Sequence, residues 1–377
     1  MPAKPSPIRI PINNVLLGND YTGKLHIGSN RKEVNLLLDT GSSTFAVDHK
    51  SYDPRKDPKA QVTDLVQEVR YGDGSNWIGS VVKTDVAVSR AGRDVDLPGV
   101  SVAVAYHESV QMFGKTQGIM GLAYEPLNDA VNLNKPTVPP KYSPNDLRAG
   151  RKEFVEPYFA QLEKAGLVAN KFAFYTRRST VHASRDPASD PLNNGFLIVG
   201  GGEEARDLYT GRFKTAVVLS DDYYSVNLKQ VIVGKTKLIP VPPPTRQSRA
   251  ATNAIVDSGT NGLSLSANVF DAILTRLSAE QVRLIRSNQV PTSKINLDEW
   301  PVLTFVLQGE TGDISLDIAP DNYWQMDAWE VGTAVCALWR DTDEQSTLGL
   351  PLMNSYFTIF DCSVNRGLGV VRFATPK

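Results

Sequence analysis

Residues 34–43 read Val34-Asn35-Leu36-Leu37-Leu38-Asp39-Thr40-Gly41-Ser42-Ser43. An apolar strand runs into an aspartate, then a hydroxyl residue, a glycine and two more hydroxyls. The pattern returns at Asn253-Ala254-Ile255-Val256-Asp257-Ser258-Gly259-Thr260. Each copy is followed, at similar spacing, by a second matched element. These are Gly118-Ile119-Met120-Gly121-Leu122 after the first and Ser346-Thr347-Leu348-Gly349-Leu350 after the second. A lone Asp-Thr-Gly reads as a turn, because Asp and Gly both favour turn positions. Two matched elements in the same order indicate an internal repeat, and with it two homologous lobes.

The repeated residues suit hydrolysis. Burial disfavours the charged form of a carboxyl unless something compensates. Here Thr40, Ser42, Ser258 and Thr260 supply hydroxyls that can donate to a carboxylate and orient it. Gly41 and Gly259 permit close backbone approach. Two such loops placed face to face bring Asp39 and Asp257 together, and two adjacent carboxyls share one proton rather than both ionising. The ionised member can take a proton from water while the protonated member donates to a carbonyl oxygen. Water then attacks the carbonyl without a covalent intermediate.

Composition narrows the remaining classes. The 377 residues carry 40 Lys+Arg against 41 Asp+Glu, a formal net charge of −1. Nothing in that balance favours nucleic acid or an anionic membrane as a partner. The four histidines (His26, His49, His107 and His182) are scattered, and the two cysteines, Cys336 and Cys362, form no CxxC. Neither a metal site nor a cofactor is indicated. With so few cysteines, free buried thiols are the expectation. No apolar run approaches the roughly 18 residues that span a bilayer. The N-terminus lacks the apolar core of a signal peptide, so a cytoplasmic location is expected if Met1 is native.

Short Val/Ile-rich segments separated by breakers indicate a mainly β fold. The expected strands are Lys24–Ile27, Val34–Leu38, Ser80–Val88, Val100–Ala105, Phe196–Val199, Tyr224–Val233, Ala254–Val256, Leu303–Leu307, Ile314–Ile318 and Tyr356–Phe360. Helices are expected at Phe154–Ala165, Ala267–Leu277 and Ala279–Arg286. Glu125–Arg148, Arg177–Asn194 and Ile239–Arg249 read as loops, being rich in Pro and polar residues.

With these residues in view, the chain resembles the pepsin-like, bilobed aspartic proteases from about Ile10 to Phe373. Asp39-Thr40-Gly41-Ser42-Ser43 and Asp257-Ser258-Gly259-Thr260 match the two family motifs. Tyr71-Gly72-Asp73-Gly74-Ser75 resembles the flap hairpin that closes over substrate. Phe172-Ala173-Phe174-Tyr175 and Phe360-Asp361 resemble strands between and behind the lobes. The proton-sharing pair of this family is the standard example of like-charge coupling.

The resemblance implies two β-rich lobes with a cleft between them, residues 1–176 carrying Asp39 and the flap, and 177–377 carrying Asp257. It implies that Asp39 and Asp257 form the dyad, with Thr40 and Ser258 as crossed hydroxyls beneath it. Ser42 and Thr260 would hold the outer carboxylate oxygens, and Gly41 and Gly259 would meet the substrate backbone. Tyr71, Gly72, Asp73, Ser75, Leu37 and Ile119 would line the flap and substrate cleft. A peptide or protein substrate would bind as an added strand. Since one chain holds both halves of the site, a monomer is expected. Asp73 is similar to the acidic flap residue of relatives that accept Lys before the scissile bond, so large apolar residues and Lys are the expected preference, at acid pH.

Three departures stand out. Ala46 occupies the position that usually holds a flap-supporting Trp, and Trp77 is the nearby candidate to replace it. The usual disulfides are missing, and little sequence precedes Ile10 to serve as a basic pro-segment. The last two resemble bacterial members of the family, and the near-neutral charge, unlike that of the strongly acidic stomach enzymes, leads to the expectation of activity extending to milder acidity. The alternative is a non-catalytic binding or inhibitory protein on the same fold, for which Ala46 is the one local argument.

Overall fold

The computed structural model describes residues 5–377 apart from 73, 91–92, 110–112, 114, 236 and 249. Alternation of apolar and polar residues produces strands throughout. Ile8–Asn13, for example, buries Ile8, Ile10 and Ile12 while Arg9 and Pro11 face out, as period-2 geometry requires.

Ten strands from the first half form one twisted sheet. It includes the long pair Asn76–Arg90 and Arg93–Glu108, and the strand Lys32–Asp39 that delivers the first aspartate. This sheet continues into a platform shared by both halves. Ile8–Asn13 pairs with Asn194–Val199, followed by Lys171–Tyr175, Phe357–Asp361, Val370–Pro376 and Tyr209–Val217. The second half adds three smaller sheets, one of which carries Ala254–Val256 and Ser346–Leu348.

The platform is cemented by aromatic packing and by ions. Phe172 stacks on Phe360 with ring centroids 4.9 Å apart. Asp361, 1% exposed, accepts from Lys171 at 3.3 Å and lies 2.8 Å from Arg372. Against the cost of burial, the Ser363 hydroxyl first and then those two cations hold its carboxyl below the usual range. Leaving either partner out would strand a buried charge.

Nearly all the expected strands form, and most extend by one to several residues. Tyr224–Val233 instead divides into Ser225–Val226 and Leu228–Val233, which belong to different sheets. The expected helix Phe154–Ala165 shrinks to Tyr158–Lys164. Phe154 ends the strand Arg151–Phe154, and Pro157 sits at the helix N-cap, where its ring is tolerated. Ala267–Leu277 stops at Leu274, and Ala279–Arg286 runs on to Ser287 behind a Ser278/Gln281 capping box. The segment Glu125–Arg148 is not all loop: it contains the strand Asp129–Asn132 and most of the short helix Pro144–Ala149. Cys336 and Cys362 are free and buried. No helix among the described residues is long and apolar enough to cross a membrane.

Candidate active site

Each half builds the same local knot. Lys32–Asp39 runs parallel to Gly118–Gly121, bringing Asp39 opposite Gly121. Ala254–Val256 runs parallel to Ser346–Leu348. The loop after each aspartate then crosses the glycine of the second motif. A Cβ on Gly121 would lie 2.5 Å from Ser43 C and Thr44 N, and one on Gly349 would lie 2.1 Å from Thr260 O. Only glycine fits under either loop, which is why each apolar pair ends in Gly. Backbone bonds lock the crossing: Leu122 N–H donates to Asp39 O at 2.7 Å, and Leu350 N–H donates to Thr260 O at 2.8 Å.

The two aspartates meet at the junction of the halves, 6% and 8% exposed. Gly41 N–H donates to Asp39 Oδ1 at 2.7 Å, and Ser42 Oγ to Asp39 Oδ2 at 2.5 Å. On the other side, Gly259 N–H donates to Asp257 Oδ1 at 2.9 Å, and Thr260 Oγ1 to Asp257 Oδ2 at 2.7 Å. Each glycine also borders the opposite carboxyl. A Cβ on Gly41 would lie 2.8 Å from the Asp257 carboxyl, and one on Gly259 would lie 2.4 Å from Asp39 Oδ1. Burial first, and then the negative charge of Asp257, push the Asp39 carboxyl well above its ordinary range.

Beneath the carboxyls, Thr40 and Ser258 cross. Thr40 N–H donates to Ser258 Oγ at 3.0 Å, and Ser258 N–H donates to Thr40 Oγ1 at 2.8 Å. The two hydroxyls in turn donate across the interface, Thr40 Oγ1 to Val256 O at 3.2 Å and Ser258 Oγ to Leu38 O at 2.9 Å. These four bonds satisfy both N–H groups and both hydroxyls of the crossing and hold the two carboxyls in register.

Above the first aspartate, Gln61–Arg70 and Asn76–Arg90 form a hairpin whose tip is 71–75. Tyr71 N–H donates to Ser75 O at 2.9 Å, and Gly74, at φ +85°, returns the chain by donating to Tyr71 O at 3.0 Å. Gly72 is exposed and has open space around it, whereas Ser75 is buried. Asp73 lies outside the described residues.

Trp77 is fully buried, and its Nε1–H donates to the Tyr71 hydroxyl at 3.2 Å. Its indole packs among Ala46, Ala103, Ala105, Phe113 and Ile119, with Leu37 and Tyr71 against the same cluster. Ala46 pairs with Ala103 and with Ile119 on its two sides. Three alanines thus clear the volume that one indole fills. The Trp77 indole, on the strand leaving the hairpin tip, lies beside Ala46 and bonds Tyr71. Leu37 and Ile119 are directly opposite each other beside Tyr71, but Ile119 is only 2% exposed and offers little surface to a peptide.

The known family described as "Eukaryotic aspartyl protease" matches residues 20–374. The chain belongs to the pepsin-like aspartic proteases. It is similar to a beta-secretase of Strongylocentrotus purpuratus, 24% identical over 95% of this chain and 67% of the relative. It is likewise similar to a vacuolar aspartic protease of Candida albicans, at 24% over 97% of this chain and 78% of that protein. A gastricsin of Callithrix jacchus is 22% identical over 94% and 81% respectively. The chain is accordingly an aspartic-type endopeptidase, and its substrates are peptides or proteins.

The structure of the protease adds groups that the sequence did not single out. Asp20 places a third carboxyl within reach of the Asp257 charge. Burial and that charge push it up to about 8, and its Oδ1 is buried with no hydrogen-bond partner among the described residues. Tyr223 has a phenol in the field of both Asp39 and Asp257. Tyr224 spans the halves, its hydroxyl donating to Leu122 O at 2.7 Å. None of the three carries a local signal, because nothing in Asp20-Tyr21 or Tyr223-Tyr224 differs from ordinary turn and strand residues. Among the described residues, no three His, Cys, Asp or Glu side chains gather as metal ligands would.

Proposed function

We propose that Asp39 and Asp257 are the catalytic pair of this endopeptidase and cleave peptide bonds through a water held between them. One observation carries the reading: two buried carboxyls face each other, each held by one glycine N–H and one hydroxyl. The raised Asp39 carboxyl keeps the shared proton and donates it to the scissile carbonyl oxygen. Asp257 takes the proton of the attacking water. Tyr71, steadied by Trp77, closes over an extended peptide that lies in the cleft as an added strand. The pair needs one proton to work, so an acid optimum follows, with activity extending toward mild acidity. Large apolar residues, and Lys through Asp73, are the proposed preference at the cleavage site. The enzyme acts as a monomer, since one chain supplies both carboxyls. Its two free buried thiols suit a reducing compartment such as the cytoplasm.

The test is digestion of a peptide library across acid pH, with and without pepstatin, by the wild type and by Asp39→Asn. Cleavage should vanish with pepstatin or with the substitution. Undiminished cleavage by Asp39→Asn would refute the assignment. Within the library, an unchanged ratio of Lys to Leu cleavage in Asp73→Ala would remove the proposed role of Asp73.

A further inference from the structure

The hairpin that carries Tyr71 is tied to the loop of Asp39 by three buried polar side chains. Gln67 lies on Gln61–Arg70, the strand that leads to Tyr71, and is 1% exposed. Thr44 and Asn128 are each 2% exposed. Strand periodicity puts Gln67, Val69 and Tyr71 on one face of the hairpin, the face on which Val69 and Tyr71 pack in the Trp77 cluster. Gln67 Nε2 donates to Asn128 Oδ1 at 2.8 Å and to Asp129 O at 3.2 Å. Thr44 Oγ1 donates to the same Asn128 Oδ1 at 2.9 Å. Asn128 is itself fixed. Its Nδ2 donates to Val155 O at 2.7 Å, and its N–H donates to Glu125 O at 2.8 Å.

Thr44 belongs to the knot around Asp39. Its carbonyl accepts from Gly121 N–H at 3.0 Å, and the carbonyl of Ser42, whose hydroxyl holds Asp39 Oδ2, accepts from Ala123 N–H at 2.8 Å. One amide oxygen, Asn128 Oδ1, therefore receives a donor from the hairpin and a donor from the loop of Asp39. Packing alone does not call for this. Apolar side chains of similar volume would fill the space without stripping water from an amide pair. What a satisfied buried network adds is one directional arrangement, and the arrangement it fixes here is the seat of the hairpin relative to Asp39. We propose that Gln67, Asn128 and Thr44 are positioning residues that hold the hairpin near the position from which Tyr71 closes over substrate. The proposal rests on the endopeptidase reading above and deepens it. All three side chains are buried, so they act through Tyr71 and the Asp39 loop rather than on the peptide. A hairpin cut loose from this seat is ready to close for a smaller fraction of the time, and apparent affinity falls by that fraction. Once closed, it covers the same dyad. The expected signature is a higher KM with kcat retained.

The test compares wild type, Gln67→Met, Thr44→Val and Val66→Ala on one peptide that the wild type cleaves. Gln67→Met keeps the length of the side chain and removes its donors, and Thr44→Val cuts the other end of the link. Asn128 Oδ1 keeps one donor in each, so neither variant strands it. Val66, 2% exposed, lies on the opposite face of the same strand, and its truncation leaves a cavity without touching the network. Gln67→Met and Thr44→Val should each raise KM and the pepstatin inhibition constant about three- to tenfold, the scale of one lost hydrogen bond. Their kcat should stay within about twofold of wild type, with its pH profile unmoved. Val66→Ala should lower Tm and leave KM and pepstatin inhibition as in wild type. Unchanged KM and pepstatin inhibition in Gln67→Met or Thr44→Val would overturn the proposal. So would equal rises in Val66→Ala, which would make the effect one of stability. Failure of the wild type to cleave any peptide would overturn the catalytic reading instead.

Discussion

The Trp77–Tyr71 contact is open to a quantitative test, because the bond is buried at the Trp77 end. Trp77 is 0% exposed, and its Nε1–H has the Tyr71 hydroxyl at 3.2 Å. Tyr71→Phe removes the acceptor and leaves a buried N–H with nothing to donate to, a cost of about 1–3 kcal/mol. Trp77→Phe removes the donor and also leaves a gap among Ala46, Ala103 and Ala105, costing about 1–3 kcal/mol by lost packing. The double variant no longer contains the orphaned N–H. It should therefore be less destabilised than the sum of the singles by about 1–2 kcal/mol, within the usual range for directly bonded neighbours. Thermal unfolding of the four proteins measures this coupling, and kcat/KM on one peptide measures it at the flap. Both single variants should lower kcat/KM, Tyr71→Phe more, since it removes the hydroxyl proposed to close over substrate. Additivity within about 0.3–0.5 kcal/mol, the scatter of independent sites, would show that Trp77 fills space without holding the tyrosine.

Further outcomes follow from the same geometry. Gly41→Ala places a methyl 2.8 Å from the Asp257 carboxyl. It should abolish cleavage while the far-UV spectrum stays native, and near-wild-type activity would contradict the close approach of the loops. The raised Asp39 carboxyl is neutral in the folded protein over a range where it ionises in the unfolded chain, so its contribution to stability is lost as pH rises from the ordinary carboxylate range through the raised value. Asp39→Asn should accordingly raise Tm more at neutral pH than near pH 3, and an equal shift at both would refute the burial argument. Asp57, 5% exposed, accepts from Ser29, Tyr52 and Thr84 side chains at 2.5–2.6 Å. Those bonds hold its carboxyl below the ordinary range, so the stabilisation is present above that range and lost only as pH falls through the lowered value. Asp57→Ala should destabilise the first half by about 2–3 kcal/mol near neutral pH, the cost of losing bonds to a charged group, with the difference shrinking in strong acid; a pH-independent difference would exclude the charge as its source.

Much of the site was legible because its signals are local and duplicated. Asp39 and Asp257 each end an apolar run and precede a hydroxyl and a glycine. Gly121 and Gly349 close the second motif where no side chain fits beneath the loop. The hairpin tip at 71–75 was legible from Tyr71-Gly72-Asp73-Gly74. Other features were hidden for identifiable reasons. The helix at Tyr158–Lys164 starts late because Val155, inside the expected helix, is committed elsewhere, bonding Asn128 through both its N–H and its carbonyl. The strand Asp129–Asn132 has a loop-like composition and exists because Arg151–Phe154 and Gln61–Arg70 flank it. Tyr224–Val233 reads as one run, but Ser225–Val226 and Leu228–Val233 serve different sheets. Such choices depend on partners far along the chain, which override local propensity.

By itself, then, the sequence determined the paired acidic loops and their duplication, since an apolar strand, an acid, a hydroxyl and a glycine are specified by composition and order alone. Tertiary structure decided how those groups act on each other. Thr40 and Ser258, 218 positions apart, become reciprocal donors and acceptors only when the halves meet. The Asp39 carboxyl shifts only when it is buried against the charge of Asp257. Trp77 fills the space beside Ala46 only when the hairpin register sets it against three alanines. Burial, field and cross-lobe hydrogen bonding are properties of neighbours in space, and those neighbours are chosen by packing.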